Sequence, residues 1–376
     1  MLEILQELLR ASEKAACIAR ACRQEETLFQ LLIEEKKDGE KNKKFLTDFK
    51  TLADVLVQEV IRHDMGEKFP GLEKNIAGEE SNTFTNELGE KVVVQICQTE
   101  EETGKLLQTI LNNEAAAKAL AKAAHEDVEL SVPAVDNVIL NIPYSKIGMW
   151  VDPIDSTYQY IKGFADTKTN NGIYSKGLQC VTVLIGVFLT DTGLPIMGVI
   201  NQPFATRDKV TLSAGTNDET NYCTSDNGSA ARNSYSAVTS SAEAKDILNS
   251  LSRVCGKNVY FAAGAGYKCL CVILGLVDFY VFSEDTTFKW DCCAPHAILK
   301  SLGGGILDLS EYLESIRQRK SFSERPHLVY NVPVKGAVGA DLWANTGGVV
   351  AYRSDKHLEH FMDLFVKKLP LQNEPC

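Results

Sequence analysis

Ile147-Gly148-Met149-Trp150-Val151-Asp152-Pro153-Ile154-Asp155-Ser156-Thr157 is an apolar run that turns abruptly into two carboxylates and two hydroxyls. Residues 147–151 read as a short strand. Asp152 and Asp155 stand three apart with Pro153 fixing the backbone between them, so both can converge on one cation at the strand's end. Ser156 and Thr157 then open a predicted helix through Tyr158, Gln159, Tyr160 and Ile161. A helix N-terminus offers free N–H groups and the positive end of a dipole, which suits phosphate. Asp155 as a plain N-cap would explain one acid but not Asp152.

Outward from this stretch, strands and helices mix. Residues 178–189 and 195–201 are β-branched runs around the turn Thr190-Asp191-Thr192-Gly193, a hairpin signal. Residues 257–282 read as strand, Gly264-Ala265-Gly266 turn, helix from Tyr267 to Leu276, and strand. Residues 288–309 read as loop, helix, glycine stop and strand. On the N-terminal side, residues 1–34 carry Ile4, Leu5, Leu8 and Leu9 at helical spacing, and 46–64 and 98–126 are helical. The run at 34–44, EEKKDGEKNKK, reads as a solvated loop, and 205–241 as surface loop with ragged strands. There is no strict βαβ alternation and no internal repeat, which favours layered sheets and helices over one doubly wound sheet.

The 376 residues carry a formal net charge of −11, which argues against a nucleic-acid surface. An anionic small-molecule substrate stays open, because a bound divalent cation reverses the local field. The 11 cysteines are an odd, scattered set without CxxC spacing, as expected of free thiols in a reducing compartment. No leader and no membrane-length apolar run is visible, so a cytoplasmic protein that engages neither membrane nor nucleic acid is expected.

Other acids gain meaning together. Glu79-Glu80 follows Gly78, Asp54 sits in a helical pattern beside Val55, and Asp291 follows Trp290 at a helix start. Each alone reads as surface acid or helix cap. His296 reads as packed, so a histidine triad has no support. Two like charges about 4 Å apart repel by roughly 4 kcal/mol at an effective dielectric of 20. Gathering these acids in one pocket therefore requires cations, and an oxygen-only donor set selects hard ones, Mg²⁺ ahead of zinc.

In order, Asp54, Glu79-Glu80, Asp152 through Thr157, and Trp290-Asp291 followed at family spacing by Gly303-Gly304 resemble the lithium-sensitive, magnesium-dependent phosphatase superfamily, which is inositol monophosphatase-like. Ser156 where relatives usually carry Gly, Thr157-Tyr158-Gln159-Tyr160, Gly264 through Lys268, and the charged loop at 34–44 look closest to its inositol polyphosphate 1-phosphatase branch. Residues 205–241 do not match the family pattern.

The resemblance implies an α/β fold, an alternating αβαβα sandwich of the inositol monophosphatase and fructose-1,6-bisphosphatase type. It would form two halves, 1–200 and 201–376, with the site between them. It implies two or three Mg²⁺ ions, the first on Glu79, Asp152 and the Ile154 carbonyl, the second on Asp152, Asp155 and Asp291, and a weaker one near Glu80. Ser156 and Thr157 amides would hold the phosphate. Thr157 and Asp54, helped by Glu79, would orient and deprotonate the attacking water. Lithium would inhibit by taking the second magnesium position.

Gly264, Ala265 and Lys268 are expected at a non-scissile phosphate, with an exposed lysine at a helix start the plain alternative for Lys268. Glu284 and Asp285 are expected at substrate hydroxyls. The implied activity is removal of the 1-phosphate from inositol 1,4-bisphosphate and inositol 1,3,4-trisphosphate. A 3′(2′),5′-bisphosphate nucleotidase, an inositol monophosphatase and an inactive metal- or phosphate-binding pseudoenzyme are the alternatives. Oligomeric state stays open.

Overall fold

The computed structural model describes residues 2–24, 32–37, 39–42, 48–86, 88–128, 142–205, 212–215, 235–318 and 325–369. Two five-stranded sheets organise it. In chain order, the first elements are helix α1 (Leu2–Gln24), the short strands β1 (Ile33–Glu35) and β2 (Phe49–Thr51), and helix α2 (Leu52–Lys68). Strand β3 (Ile76–Gly78) follows, then the small hairpin β4 (Thr83–Thr85) and β5 (Lys91–Val93), and helices α3 (Glu100–Leu111) and α4 (Glu114–His125). Strand β6 (Ile147–Asp155), helix α5 (Thr157–Lys162), and strands β7 (Thr182–Leu189), β8 (Pro195–Asn201) and β9 (Leu212–Gly215) complete the first sheet, ordered β3-β6-β7-β8-β9.

The second sheet begins at β10 (Ala237–Thr239). Helix α6 (Lys245–Cys255), β11 (Val259–Phe261), α7 (Ala265–Ile273), β12 (Phe279–Phe282), α8 (Lys289–Ser301), β13 (Gly305–Asp308), α9 (Leu309–Arg317), β14 (Val349–Tyr352) and α10 (Asp355–Val366) follow, with strand order β11-β10-β12-β14-β13.

Three apolar cores define the layers. One joins α1 to α4 with one face of the first sheet. A second packs α7 and α8 between the two sheets. The third covers the outer face of the second sheet with α6, α9 and α10. The result is a five-layer αβαβα stack, as expected from the resemblance. Close approach of the middle helices to the first sheet depends on glycine. A Cβ at Gly186 would lie 2.5 Å from the Ala294 nitrogen, and one at Gly198 would collide with the Ala294 carbonyl. Helix α8, with Asp291 in its first turn, thus rests directly on β7 and β8.

Several elements differ from the sequence reading. Residues 49–51 are a strand paired with 33–35, so the helix read from 46 begins at Leu52. The run at 34–44 is not simply a solvated loop: its first residues form β1 and Lys36 is buried. The stretch 98–126 divides at Asn112, whose positive φ of 48° caps α3, and Asn113, which caps α4. Within 205–241, residues 212–215 add an edge strand and 237–239 enter the second sheet, while 206–211 and 216–234 lie outside the described residues. Among the described residues no helix is long and apolar enough to cross a membrane.

Candidate metal centre

Strand β6 runs through the DPID stretch rather than ending before it. Side chains three apart on a regular strand point to opposite faces. Here Asp152 pairs with Leu184 and Asp155 with Thr182, so β6 carries one residue more than β7 over that interval. This bulge re-aims the chain and puts both acids on one side. Glu79 joins them because its N–H donates to the Val151 carbonyl (3.1 Å), continuing the parallel β3–β6 ladder. Asp291 arrives from the middle layer, reaching back from the first turn of α8 to accept from the Phe288 N–H (2.6 Å).

Carboxylate oxygens of Asp152, Asp155 and Asp291, all buried, lie within 4.8 Å of one another. Their partners differ. Asp155 accepts from Thr182 Oγ1 (3.1 Å) and from the Ala265 and Gly266 N–H groups (3.2 and 2.9 Å). Asp152 Oδ1 is buried with no hydrogen-bond partner. Burial pushes all three carboxyls above the usual range. For Asp152 the nearby charges of Glu79, Asp155 and Asp291 push further, and for Asp291 those of Asp155 and Glu79. An orphaned carboxylate oxygen facing other carboxylates is the local chemistry that a hard divalent cation relieves.

Glu79 is held differently: its Oε1 lies 2.5 Å from Lys36 Nζ, which also lies 2.7 Å from Glu80 Oε1. Burial alone would lower the Lys36 ammonium, but Glu79 and Glu80 outweigh it and hold it well above its ordinary value. The backbone of Glu80 is clamped by Gln58, which accepts from its N–H (3.0 Å) and donates to its carbonyl (2.6 Å). Burial raises the Glu80 carboxyl to about 8. Asp54 forms a capping box with Thr51, accepting from its N–H (2.7 Å) and hydroxyl (2.5 Å), and burial raises it to about 7. Thr157 Oγ1 donates to the Ile154 carbonyl (3.1 Å), so Asp54 and Thr157 are each engaged elsewhere rather than with one another.

A cavity of about 580 Å³ opens onto these acids, a size suited to a small ligand. Glu79, Asp152, Asp155 and Asp291 form its acidic floor, and Ser156, Thr157, Gly264, Ala265 and Lys268 line it too. Ser156 adopts φ of 74°, a left-handed conformation that L-residues enter at a cost and glycine enters freely. Lys268 is not an exposed helix-start lysine. It is buried, donates to the Gly264 carbonyl (2.7 Å), and stands 5.2 Å from the Tyr280 ring centre.

Asp54, Glu80 and Ile154 are buried and do not line the cavity, but the charge of Asp54 acts on Asp152 and that of Glu79 on both Asp54 and Glu80. Glu284 and Asp285 are not brought to the cavity; Glu284 is exposed, and the next two residues, Thr286 and Thr287, take the wall instead. Sequence reasoning missed Lys36, Asp48, Lys176 and Ser240. Lys36 is hidden by a run of lysines and glutamates, and a lone polar residue on a loop carries no signal for the others.

The conserved sequence profile of the Inositol monophosphatase family matches residues 75–357. The chain belongs to this family. It is 56% identical to the human inositol polyphosphate 1-phosphatase over 98% of each chain, and equally to the Bos taurus protein of that name over the same shares. The 3′(2′),5′-bisphosphate nucleotidase 1 of Rattus norvegicus is 27% identical over 75% of this chain and 79% of its own. Among solved structures, the extragenic suppressor protein suhB from Bartonella henselae superposes with a TM-score of 0.53 at 14% identity, covering 96% of this chain and 98% of that one. That likeness establishes the shared fold.

Proposed function

We propose that this family member is a magnesium-dependent phosphomonoesterase. It would remove the 1-phosphate from inositol polyphosphates such as inositol 1,4-bisphosphate and inositol 1,3,4-trisphosphate, and be inhibited by lithium. The observation that carries the reading is 56% identity with the human inositol polyphosphate 1-phosphatase across 98% of both chains. The converging oxygens of Asp152, Asp155 and Asp291 support the metal requirement.

The all-oxygen donor set and the orphaned Asp152 Oδ1 fit Mg²⁺. Glu79, Asp152 and the Ile154 carbonyl would hold one ion, Asp152, Asp155 and Asp291 a second, and Glu80 would support a weaker third. Bound Mg²⁺ supplies a water of lowered pKa and neutralises charge on the phosphate. The Ser156 and Thr157 N–H groups would donate to phosphate oxygens. Asp54, whose carboxyl burial raises to about 7, would take up a proton, and the Thr157 hydroxyl would turn from the Ile154 carbonyl to orient the attacking water.

Lys268 stiffens the 262–266 turn and lends positive charge to the wall, where Gly264 and Ala265 would meet a non-scissile phosphate. We take residues 1–200 and 201–376 as two halves sharing this site, with Asn201 and the edge strand at 212–215 belonging to the first sheet rather than the second. Free thiols at nine described cysteines suit a reducing cytoplasm.

Phosphate release from inositol 1,4-bisphosphate, adenosine 3′,5′-bisphosphate and inositol 1-phosphate, with and without Mg²⁺ and Li⁺, tests the reading. Fastest release from the inositol bisphosphate, abolished by chelation and reduced by lithium, is expected. Preference for the nucleotide would overturn the substrate assignment, and metal binding without any release would reduce the chain to a binding protein.

A further inference from the structure

Residues 32–37 carry a cation into the acid cluster. Their strand β1 pairs antiparallel with β2, and the Lys36 N–H donates to the Asp48 carbonyl (2.8 Å) just beyond that ladder. The Lys36 side chain is 2% exposed, with Nζ 2.5 Å from Glu79 Oε1 and 2.7 Å from Glu80 Oε1. The carboxylates of Asp48, just before β2, and Asp54, in α2, act on the same ammonium. Farther along, Asn42 Nδ2 donates to the Thr286 carbonyl (3.1 Å) and the Gly39 carbonyl accepts from the Ala340 N–H (2.9 Å). The segment that delivers Lys36 is therefore tied across the cavity.

The acid cluster is thus divided. Asp152, Asp155 and Asp291 face one another with no ammonium in salt-bridge contact among the described residues, Lys268 acting on Asp155 and Asp291 only from a distance, whereas Glu79 and Glu80 already share the Lys36 charge. A divalent ion and an ammonium placed side by side on the carboxylates of one buried site repel strongly. We propose that Lys36 is an internal counter-cation that holds Glu79 and Glu80 until a divalent ion displaces it, and so sets the affinity of the Glu79-dependent metal position. This rests on reading the cluster as a metal centre, and not on any choice of substrate. Lys36 acts here as a positioning residue, through Glu79.

The test is binding of Mn²⁺ and Ca²⁺ to the full chain, followed by calorimetry and by tryptophan fluorescence. Trp290 lines the cavity beside Asp291, and its ring lies 5.8 Å from that of Trp150. Lys36→Met should tighten the weaker binding event by about tenfold or more, within the usual range for coupled sites. Lys36→Arg should bind as the unaltered chain does. Adding Glu79→Gln to Lys36→Met should erase the tightening.

Unchanged or weaker binding by Lys36→Met would overturn the proposal, because Lys36 would then be supporting Glu79 rather than competing for it. Should Lys36→Met fail to fold, Lys36→Gln, which removes the charge but can still donate a hydrogen bond to Glu79, must show tightening in the same direction. If the unaltered chain binds neither ion, the metal-centre reading itself falls. Binding without tightening sinks only the role given to Lys36.

Discussion

Asp54 caps a helix, and in the proposed mechanism the same buried carboxyl would take up a proton. Its capping box with Thr51 fixes the start of α2, and burial lifts it to about 7. Replacing it with Ala should lower kcat by roughly 10²–10⁴ if it takes the proton in the transition state. Loss of the cap should cost about 1 kcal/mol of stability. Substrate affinity, measured by calorimetry with Ca²⁺ present, should hardly move; an equal loss of affinity and turnover would remove Asp54 from the proton-transfer role. The same upward shift fixes a pH dependence. A carboxyl whose folded pKa lies above its unfolded value binds more protons folded than unfolded between the two, so stability falls as pH rises through that window. For Asp54 the window runs from 3.8 to about 7 and for Glu80 from 4.5 to about 8. The metal-free protein should therefore melt lower at pH 8 than at pH 5, by on the order of a few degrees for a chain of this size. A midpoint that climbs over that range would mean these carboxyls are already compensated.

At the level of elements, the bulge in β6 explains why an Asp-x-x-Asp spacing works on a strand. One extra residue converts opposite faces into one, and the turn that follows forces Ser156 to φ of 74°. Ser156→Gly should keep or slightly raise stability, since relief of about 1–2 kcal/mol of left-handed strain outweighs the 0.5–1 kcal/mol entropy cost of glycine. It should also keep activity, because the backbone N–H survives, whereas Ser156→Val should be clearly less stable in urea. The reverse order would show that the hydroxyl, and not the backbone, matters at this turn. The DPIDST stretch was legible in the sequence because its strand, turn and helix start are contiguous and each leaves a local mark. The pairing of β1 with β2 was not, because three-residue strands carry no periodicity. Lys36 resembles every other lysine in its run until that pairing turns it inward. The split at Asn112-Asn113 was readable in principle from two adjacent cap-forming residues.

On the scale of the whole molecule, the acids are drawn from separate layers. Glu79, Asp152 and Asp155 come from the first sheet, and Asp291 comes from the middle helices, held down by Gly186 and Gly198. The layered class could be anticipated from mixed elements without repeats, but the stacking of α8 on β7 and β8 depends on contacts that no local pattern encodes. A cation bridging these layers must bind the folded chain and not the unfolded one, so it stabilises the entire stack by mass action. At one hundred times its Kd the gain is about 2.7 kcal/mol. Without the ion, the same acids repel across the interface. Asp152→Asn removes a buried carboxylate on which four others, Glu79, Asp155, Asp291 and Asp54, act. It should leave the metal-free protein as stable as the unaltered chain or more so, while abolishing the rise in melting temperature on adding Mg²⁺. If Asp152→Asn instead melts lower in the absence of metal and still gains stability from Mg²⁺, the layers are joined by packing alone and the ion binds elsewhere.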